Sequence, residues 1–364
     1  MALIGEEEGK RIRKKLTDLG LYAQYDMPDI VLEDGKITYG FGFPIKAMEK
    51  FLGYYDPAMH LPFSPSISFN TDFSYAFSLC RFKKEPGRDT VQVNGRVSQE
   101  YTHKAGQALD LFKQLTGITG SFDFYIDIIR RYGRAKGLSE SSAVASSVSM
   151  ALLRNVLSTE PSETLISRFA KFVSGSGTRS AVTGLSMWLS YAGIAEPESF
   201  AVRLPIDLSN LHIAAFPLTA DIKTSDMHTA ALRSPLYFSW ISSKFGFIEN
   251  FIDSHFPLEM ILERGFDEMI SLSNVVRSVG REIHNSSTLT IIERYLDFKK
   301  KNPNIFMTTD TGPSAVLMST EKSILLEFLE TIPLKYIQGN VNPSMQAQTI
   351  KSTLKDMKER YGLQ

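Results

Sequence analysis

A chain of 364 residues, 43% hydrophobic and 22% charged, is long enough for two domains and apolar enough to bury a sizeable core. Its 40 basic and 40 acidic residues cancel, which excludes a general nucleic-acid binder needing a basic face. The single cysteine, Cys80, excludes an intrachain disulfide framework and fits a reducing interior. The acidic start, Glu6-Glu7-Glu8, does not read as a secretory signal, and no apolar run approaches membrane-spanning length. A cytoplasmic protein with no membrane partner is expected. The six histidines show no metal-ligand spacing, so no structural metal is expected.

Residues 5–19 carry Ile12 and Leu16 at helical spacing and predict an exposed or docking helix stopped by Gly20. Alternation over residues 29–43 around Asp34-Gly35 predicts a hairpin. A helical segment is expected over residues 46–51. Strands follow at 66–71, 73–82 and 89–93, the last ending in the Asn94-Gly95 turn. Residues 101–116 read as a helix and 122–129 as a strand. The next loop contains Arg130, Arg131, Arg134 and Lys136, then Ser139, Glu140, Ser141 and Ser142, before a helix over 144–157. A strand, a Gly/Ser loop and a helix place an anion at a helix N-terminus, where free N–H groups and the dipole favour negative charge. A basic turn with a serine N-cap is the alternative.

A second small-residue loop runs from Ser174 through Ser176 and Arg179 to Ser180, between helical patterns at 162–172 and 181–191. Its hydroxyls and its guanidinium fork suit a small anion; a flexible helix–helix linker is the alternative. A domain boundary falls near residues 201–210. A strand at 211–216 is followed by a helix opened near Lys223, and by helical patterns at 235–255, 257–279 and 286–300. Asp310-Thr311-Gly312-Pro313 then makes a sharp turn ahead of the apolar run Ala315 to Met318. A carboxylate on such a turn is held as a catalytic group requires, or else closes an Asx-turn on its own backbone. A helix at 321–331, a strand at 334–339 and a charged helix at 343–361 complete an α+β pattern.

Together and in order, these segments resemble the GHMP kinase superfamily, in its mevalonate diphosphate decarboxylase branch. The resemblance covers most of the chain from about Pro44. Lys50-Phe51-Leu52-Gly53-Tyr54-Tyr55-Asp56 is similar to the family's K-Y-W-G-K-R-D, and Leu61-Pro62 with Ser66-Ile67-Ser68 to its L-P…S-I-S. Asn94-Gly95-Arg96 resembles L-N-G-R. Ser174-Gly175-Ser176-Gly177-Thr178-Arg179-Ser180, with Gly184 and Trp188, resembles G-S-G-S-A-C-R-S…G…W. Asp310-Thr311-Gly312-Pro313-Ser314-Ala315-Val316 resembles D-A-G-P-N-A-V.

The resemblance implies a two-domain GHMP-kinase-like α+β fold. An S5-like domain over residues 41–207, after an extension at 1–40, and a ferredoxin-like domain over 208–364 would flank an active-site cleft. It implies that Asp310 is the catalytic carboxylate, that Arg179 clamps the substrate carboxylate with Ser174 and Ser176 as further contacts, and that Lys50 lies beside Asp310. Ser141, Ser142, Lys136 and Lys223 are the remaining candidates for substrate phosphate, and a homodimer is implied.

Two departures shape the functional expectation. The family's phosphate loop, P-x-x-x-G-L-A-S-S-A, lacks its proline here and meets Glu140 at or beside a serine position, which places an anion where triphosphate would sit. The tyrosine and second lysine that face a diphosphate are Phe51 and Tyr54. The expectation is a lyase of the mevalonate pathway that uses no ATP, as in some archaea. It would convert mevalonate 3,5-bisphosphate to isopentenyl phosphate in isoprenoid biosynthesis. An ATP- and Mg-dependent decarboxylase or 3-kinase of the same superfamily is the alternative, and a catalytically inactive metabolite sensor is a second.

Overall fold

A computed structural model describes residues 4–97, 99–221 and 224–363. In chain order the first half runs α1 (Glu6–Asp18), β1 (Ile37–Gly42), β2 (Ile45–Glu49), β3 (Tyr54–Asp56), β4 (Leu61–Pro62), β5 (Ser66–Asn70) and β6 (Ser74–Lys83). It continues with β7 (Thr90–Val93), β8 (Arg96–Val97), α2 (Gln99–Thr116), β9 (Ser121–Arg130), α3 (Glu140–Val156), α4 (Glu163–Val173), α5 (Gly177–Ser180), β10 (Leu185–Trp188) and β11 (Ala201–Arg203). The second half contains β12 (His212–Phe216), α6 (Thr224–Ala231), α7 (Tyr237–Asp253), α8 (Leu258–Arg277) and α9 (Ser286–Lys299). The chain ends with β13 (Ile305–Thr309), β14 (Ala315–Ser319), α10 (Lys322–Glu330), β15 (Ile337–Gly339) and α11 (Ala347–Arg360).

The strands form a five-stranded sheet in the order β1-β6-β9-β7-β8, two four-stranded sheets, β11-β10-β5-β2 and β13-β14-β12-β15, and the small pair β3-β4. Every pairing is antiparallel except β7 with β9. Alternation along β6 gives the first sheet two apolar faces. Ala76, Cys80 and Phe82 meet Val144, Val148 and Leu152 of α3. Phe77 and Leu79 meet Met357 and Leu363, so the C-terminal helix returns to cover a sheet of the first half. Helix α1 docks through the fully buried Ile12 and Leu16, and Arg11 reaches Glu249 of α7 at 2.9 Å.

Three sequence expectations are corrected. The turn at Asp34-Gly35 exists, but no hairpin forms around it: Ile30 bridges Leu157, and β1 pairs with β6. Residues 45–49 are a strand buried on both faces, not a helix; such a strand has no alternation, and lysines four apart mimic helical spacing. Within 181–191 the apolar run Leu185–Trp188 is an inner strand between β5 and β11, since burial on both faces removes the period that separates helix from strand.

Helix α8 aligns the second and third sheets. Its Gly265 has no side chain where Met48 of β2 and Thr308 of β13 approach; a Cβ there would come 2.9 Å from the Met48 sulfur. That close approach sets the end of β2 beside the end of β13, which is where the candidate site lies.

Candidate active site

Asp310 opens the connection between β13 and β14, whose last closing pair is Thr309 with Ala315. The turn is pinned on several sides. Thr288 donates to the Pro313 carbonyl at 2.7 Å, Ser314 exchanges hydrogen bonds with Leu218 at 2.9 and 3.2 Å, and the Ser314 N–H donates to the Lys136 carbonyl at 3.2 Å. Its carboxylate reaches across the chain. Oδ2 accepts the Ser139 hydroxyl at 3.0 Å and lies 3.1 Å from Lys46 Nζ, while Oδ1 is buried and has no partner among the described residues. The alternative of an Asx-turn therefore does not describe Asp310.

The loop before α3 supplies that partner by an irregular conformation. Ser139 stands at the N-cap in the left-handed region (φ 55°) and makes no side-chain cap bond, which frees its hydroxyl for Asp310. Gly137 and Gly312 face each other so closely that a Cβ on Gly312 would lie 2.7 Å from the Gly137 nitrogen. Only paired glycines let this loop close on the aspartate turn. Ser142 is fully buried and donates to the Ser139 carbonyl at 2.7 Å while accepting the Ile45 N–H at 3.2 Å. It braces the loop, contrary to the expected substrate contact. Ser141 and Lys136 are exposed, and Lys223 lies outside the described residues.

At the start of α3, Glu140 is not left to repel. Arg130 grips it through two hydrogen bonds of 2.6 and 2.7 Å, and Tyr132 adds a third at 2.7 Å. The basic loop is thus partly spent internally: Arg130 on Glu140, and Arg131 on Asp72 at 2.8 Å.

Three buried cations surround the carboxylate. Lys46 is 1% exposed, Arg179 2% and Lys50 3%. Among the described residues the direct contact with Asp310 is made by Lys46, which also donates to the Gly137 carbonyl at 3.0 Å. Lys50 donates instead to the Ala47 carbonyl at 2.9 Å and to Thr308 Oγ1 at 2.8 Å. Burial draws the Lys50 ammonium down to about 8, against the opposing pull of Asp310. Lys46 is lowered for the same reason. Arg179 stands on α5 with its guanidinium 5.6 Å from the Phe51 ring; burial lowers it to about 10, and its Nε has no partner among the described residues. An unpaired buried guanidinium N–H is costly unless an anion completes it.

In the loop that leads into α5 the hydroxyls of Ser174 and Ser176 lie 3.2 Å apart, with Ser141 3.5 Å from Ser174. The positions that would carry diphosphate donors instead form an aromatic group. Phe51 packs edge-on against Trp188 at 5.1 Å, and Tyr54 stacks on His228 at 4.8 Å. His284 touches Thr309 Oγ1 at 2.9 Å and is drawn down to about 4 by burial, so its ring is neutral near pH 7. Lys46, Ser139 and Thr308 are the site residues that sequence reasoning missed. No local signal marked Lys46, since the burial that makes a lysine demand an acidic partner does not show in a segment that reads as helix.

This geometry can bind a small polyanion against a carboxylate with one oxygen engaged and the other unpartnered among the described residues. Among the described residues no cluster of three or more His, Cys, Asp or Glu could hold a metal, and no helix is long and apolar enough to cross a membrane.

Residues 43–201 match the family model described as the diphosphomevalonate decarboxylase-like N-terminal domain. Two curated proteins, from Thermoplasma acidophilum and Thermoplasma volcanium, are each named mevalonate 3,5-bisphosphate decarboxylase. They are 39% and 40% identical over 97% of this chain, which covers 88% and 95% of their lengths. The mevalonate diphosphate decarboxylase from Enterococcus faecalis has a similar fold, with a TM-score of 0.75 at 18% identity over 85% of this chain and 98% of its own. With identity sustained over nearly the whole of both chains, the protein belongs to the diphosphomevalonate decarboxylase-like family, alongside the two Thermoplasma proteins.

Proposed function

We propose that the protein decarboxylates mevalonate 3,5-bisphosphate to isopentenyl phosphate, releasing CO2 and the 3-phosphate, with no nucleotide consumed. The sequence relationship to two proteins of that name supports the choice of substrate. The observation that carries the chemistry is Asp310, a carboxylate 12% exposed, with one buried oxygen unpartnered among the described residues and three buried cations around it. The C3–O bond breaks with its electron pair leaving on phosphate. The bond between the carboxylate and C2 breaks, and its electrons become the C2=C3 double bond. With the 3-oxygen already phosphorylated there is no hydroxyl proton to remove, so Asp310 need not act as a base. Asp310 stabilises positive charge growing at C3, an electrostatic role.

Arg179, Ser174 and Ser176 hold the substrate carboxylate so that its breaking bond aligns with the emptying orbital at C3. Lys50 and Lys46 balance the departing phosphate. Glu140, engaged by Arg130, occupies the helix terminus that a nucleotide phosphate would need, which supports a reaction without ATP or Mg. The same reading takes the protein as a cytoplasmic homodimer, and its mass in solution tests the dimer.

The test is to incubate the pure protein with mevalonate 3,5-bisphosphate and with mevalonate 5-diphosphate, each with and without MgATP, and to measure CO2. Release from the bisphosphate alone, at a rate indifferent to MgATP, is the expected result. Release only from the diphosphate with MgATP would refute it.

A further inference from the structure

Directly behind the site four ionisable side chains meet almost out of reach of water. Lys244 of α7 pairs with Glu49 of β2 and with Glu268 of α8. Arg264 of α8 closes the far side, its Nε 2.6 Å from Glu49 Oε2 and its Nη2 3.1 Å from Glu268 Oε2. Glu49, Lys244 and Glu268 are 0% exposed. Trp240 of α7 donates its indole N–H to Glu268 Oε1 at 2.9 Å. Two acids and two bases balance, yet an apolar set of similar volume is commonly as stable or more so. None of the four takes part directly in the chemistry above, so their retention needs another reason.

What they touch supplies it. Lys244 Nζ also donates to the Lys50 backbone carbonyl at 2.6 Å. The Glu49 carbonyl accepts from Arg179 Nη1 at 3.5 Å. Gly265, in the same turn of α8 as Arg264 and Glu268, accepts from Thr308 Oγ1 at 2.9 Å and from Lys50 Nζ at 3.4 Å. The pairing of β2 with β5 is irregular between Ala47 and Glu49, so the strand ladder alone does not fix this end. We propose that Glu49, Lys244, Glu268 and Arg264 form a positioning device that fixes the end of β2, so that Lys50 and Arg179 are held facing Asp310. This inference rests on the reaction proposed above. The two acids have a second effect, since their charges favour the Lys50 ammonium against the burial that weakens it. Among the described residues the charged and polar groups around Glu268 are Lys244 and Trp240 from α7, Arg264 from its own helix, Glu49 from β2, and Lys50 just after that strand.

The double variant Lys244→Met/Glu268→Met leaves Glu49 paired with Arg264 and removes one charge of each sign. It should fold with a Tm equal to or above wild type. Its kcat on the bisphosphate should fall by about 10- to 100-fold with KM within about threefold, as expected when aligned groups lose their alignment. A folded double variant with wild-type kcat would overturn the proposal. A second measurement needs no turnover: NMR titration of the Lys50 side-chain nitrogen in wild type and in Glu268→Gln, with the signal assigned by its loss in Lys50→Met. The midpoint should drop by about one pH unit, a tenfold weaker hold on the proton. An unchanged midpoint would also overturn it. If wild type releases no CO2 from the bisphosphate, the functional reading fails, and the Lys50 titration still decides this inference.

Discussion

Lys46 Nζ lies 3.1 Å from Asp310 Oδ2, and the other oxygen of that carboxylate is buried with no partner among the described residues. A carboxylate anchored through one oxygen and unsatisfied at the other is prepared to meet positive charge. Asp310→Asn keeps the shape and removes the charge. It should lower kcat by about 10³-fold while the bisphosphate still binds. Single-turnover CO2 release together with calorimetric binding measures both. Full activity in this variant sinks the assignment of Asp310.

Lys46 and Lys50 have separable roles, because among the described residues only Lys46 pairs directly with the carboxylate. Lys46→Met should cost about 10²-fold in kcat and about 1–3 kcal/mol of stability, since among the described residues Asp310 keeps only the Ser139 hydroxyl as a direct partner. Urea unfolding beside steady-state kinetics checks both effects. A variant as active as wild type would reduce Lys46 to a packing residue.

Lys50 predicts opposite pH trends for activity and stability. Its ordinary value is 10.5, and burial lowers it to about 8 in the folded protein. Between those values the unfolded chain holds the extra proton, so stability from this group rises as pH climbs from about 8 to about 10.5. Activity, if it needs the ammonium, falls over the same range. Lys50→Arg stays charged there, so the falling limb near pH 8 should vanish even if the rate is lower. kcat–pH profiles and urea midpoints across that range make the comparison. A limb that persists unchanged in Lys50→Arg removes Lys50 as its source.

Much of this site could be read along the chain, and the remainder depends on long-range geometry. Asp310 and Arg179 announce themselves because a Gly-Pro turn and a small-residue loop carry local signatures. Helices such as Leu258–Arg277 are long enough for their period to show. Lys46 was hidden because Ile45–Glu49 is buried on both faces and loses the alternation that marks a strand. Ser139 was hidden because nothing local predicts a non-glycine residue in the left-handed region; the closure of Gly137 on Gly312 imposes it. Ser142 looked like a ligand-binding hydroxyl for the opposite reason, since burial and its two hydrogen bonds are properties of the folded loop.

Glu140 gives the sharpest test of why this chain would dispense with a nucleotide. Its carboxylate stands in the first turn of α3, where the helix dipole favours an anion, and it satisfies Arg130 through two bonds. An internal carboxylate at that place does what a phosphate oxygen would do, without leaving the molecule. Glu140→Ala vacates the terminus and leaves Arg130, with a side chain 38% exposed, in need of an anion. Calorimetry should then show ATP binding at least about tenfold tighter than to wild type, weakening as salt is raised. Equal and negligible binding by both proteins would mean that Glu140 is not what closes this terminus, and that the tight contact between the loop at Gly137 and the turn at Gly312 excludes the nucleotide instead.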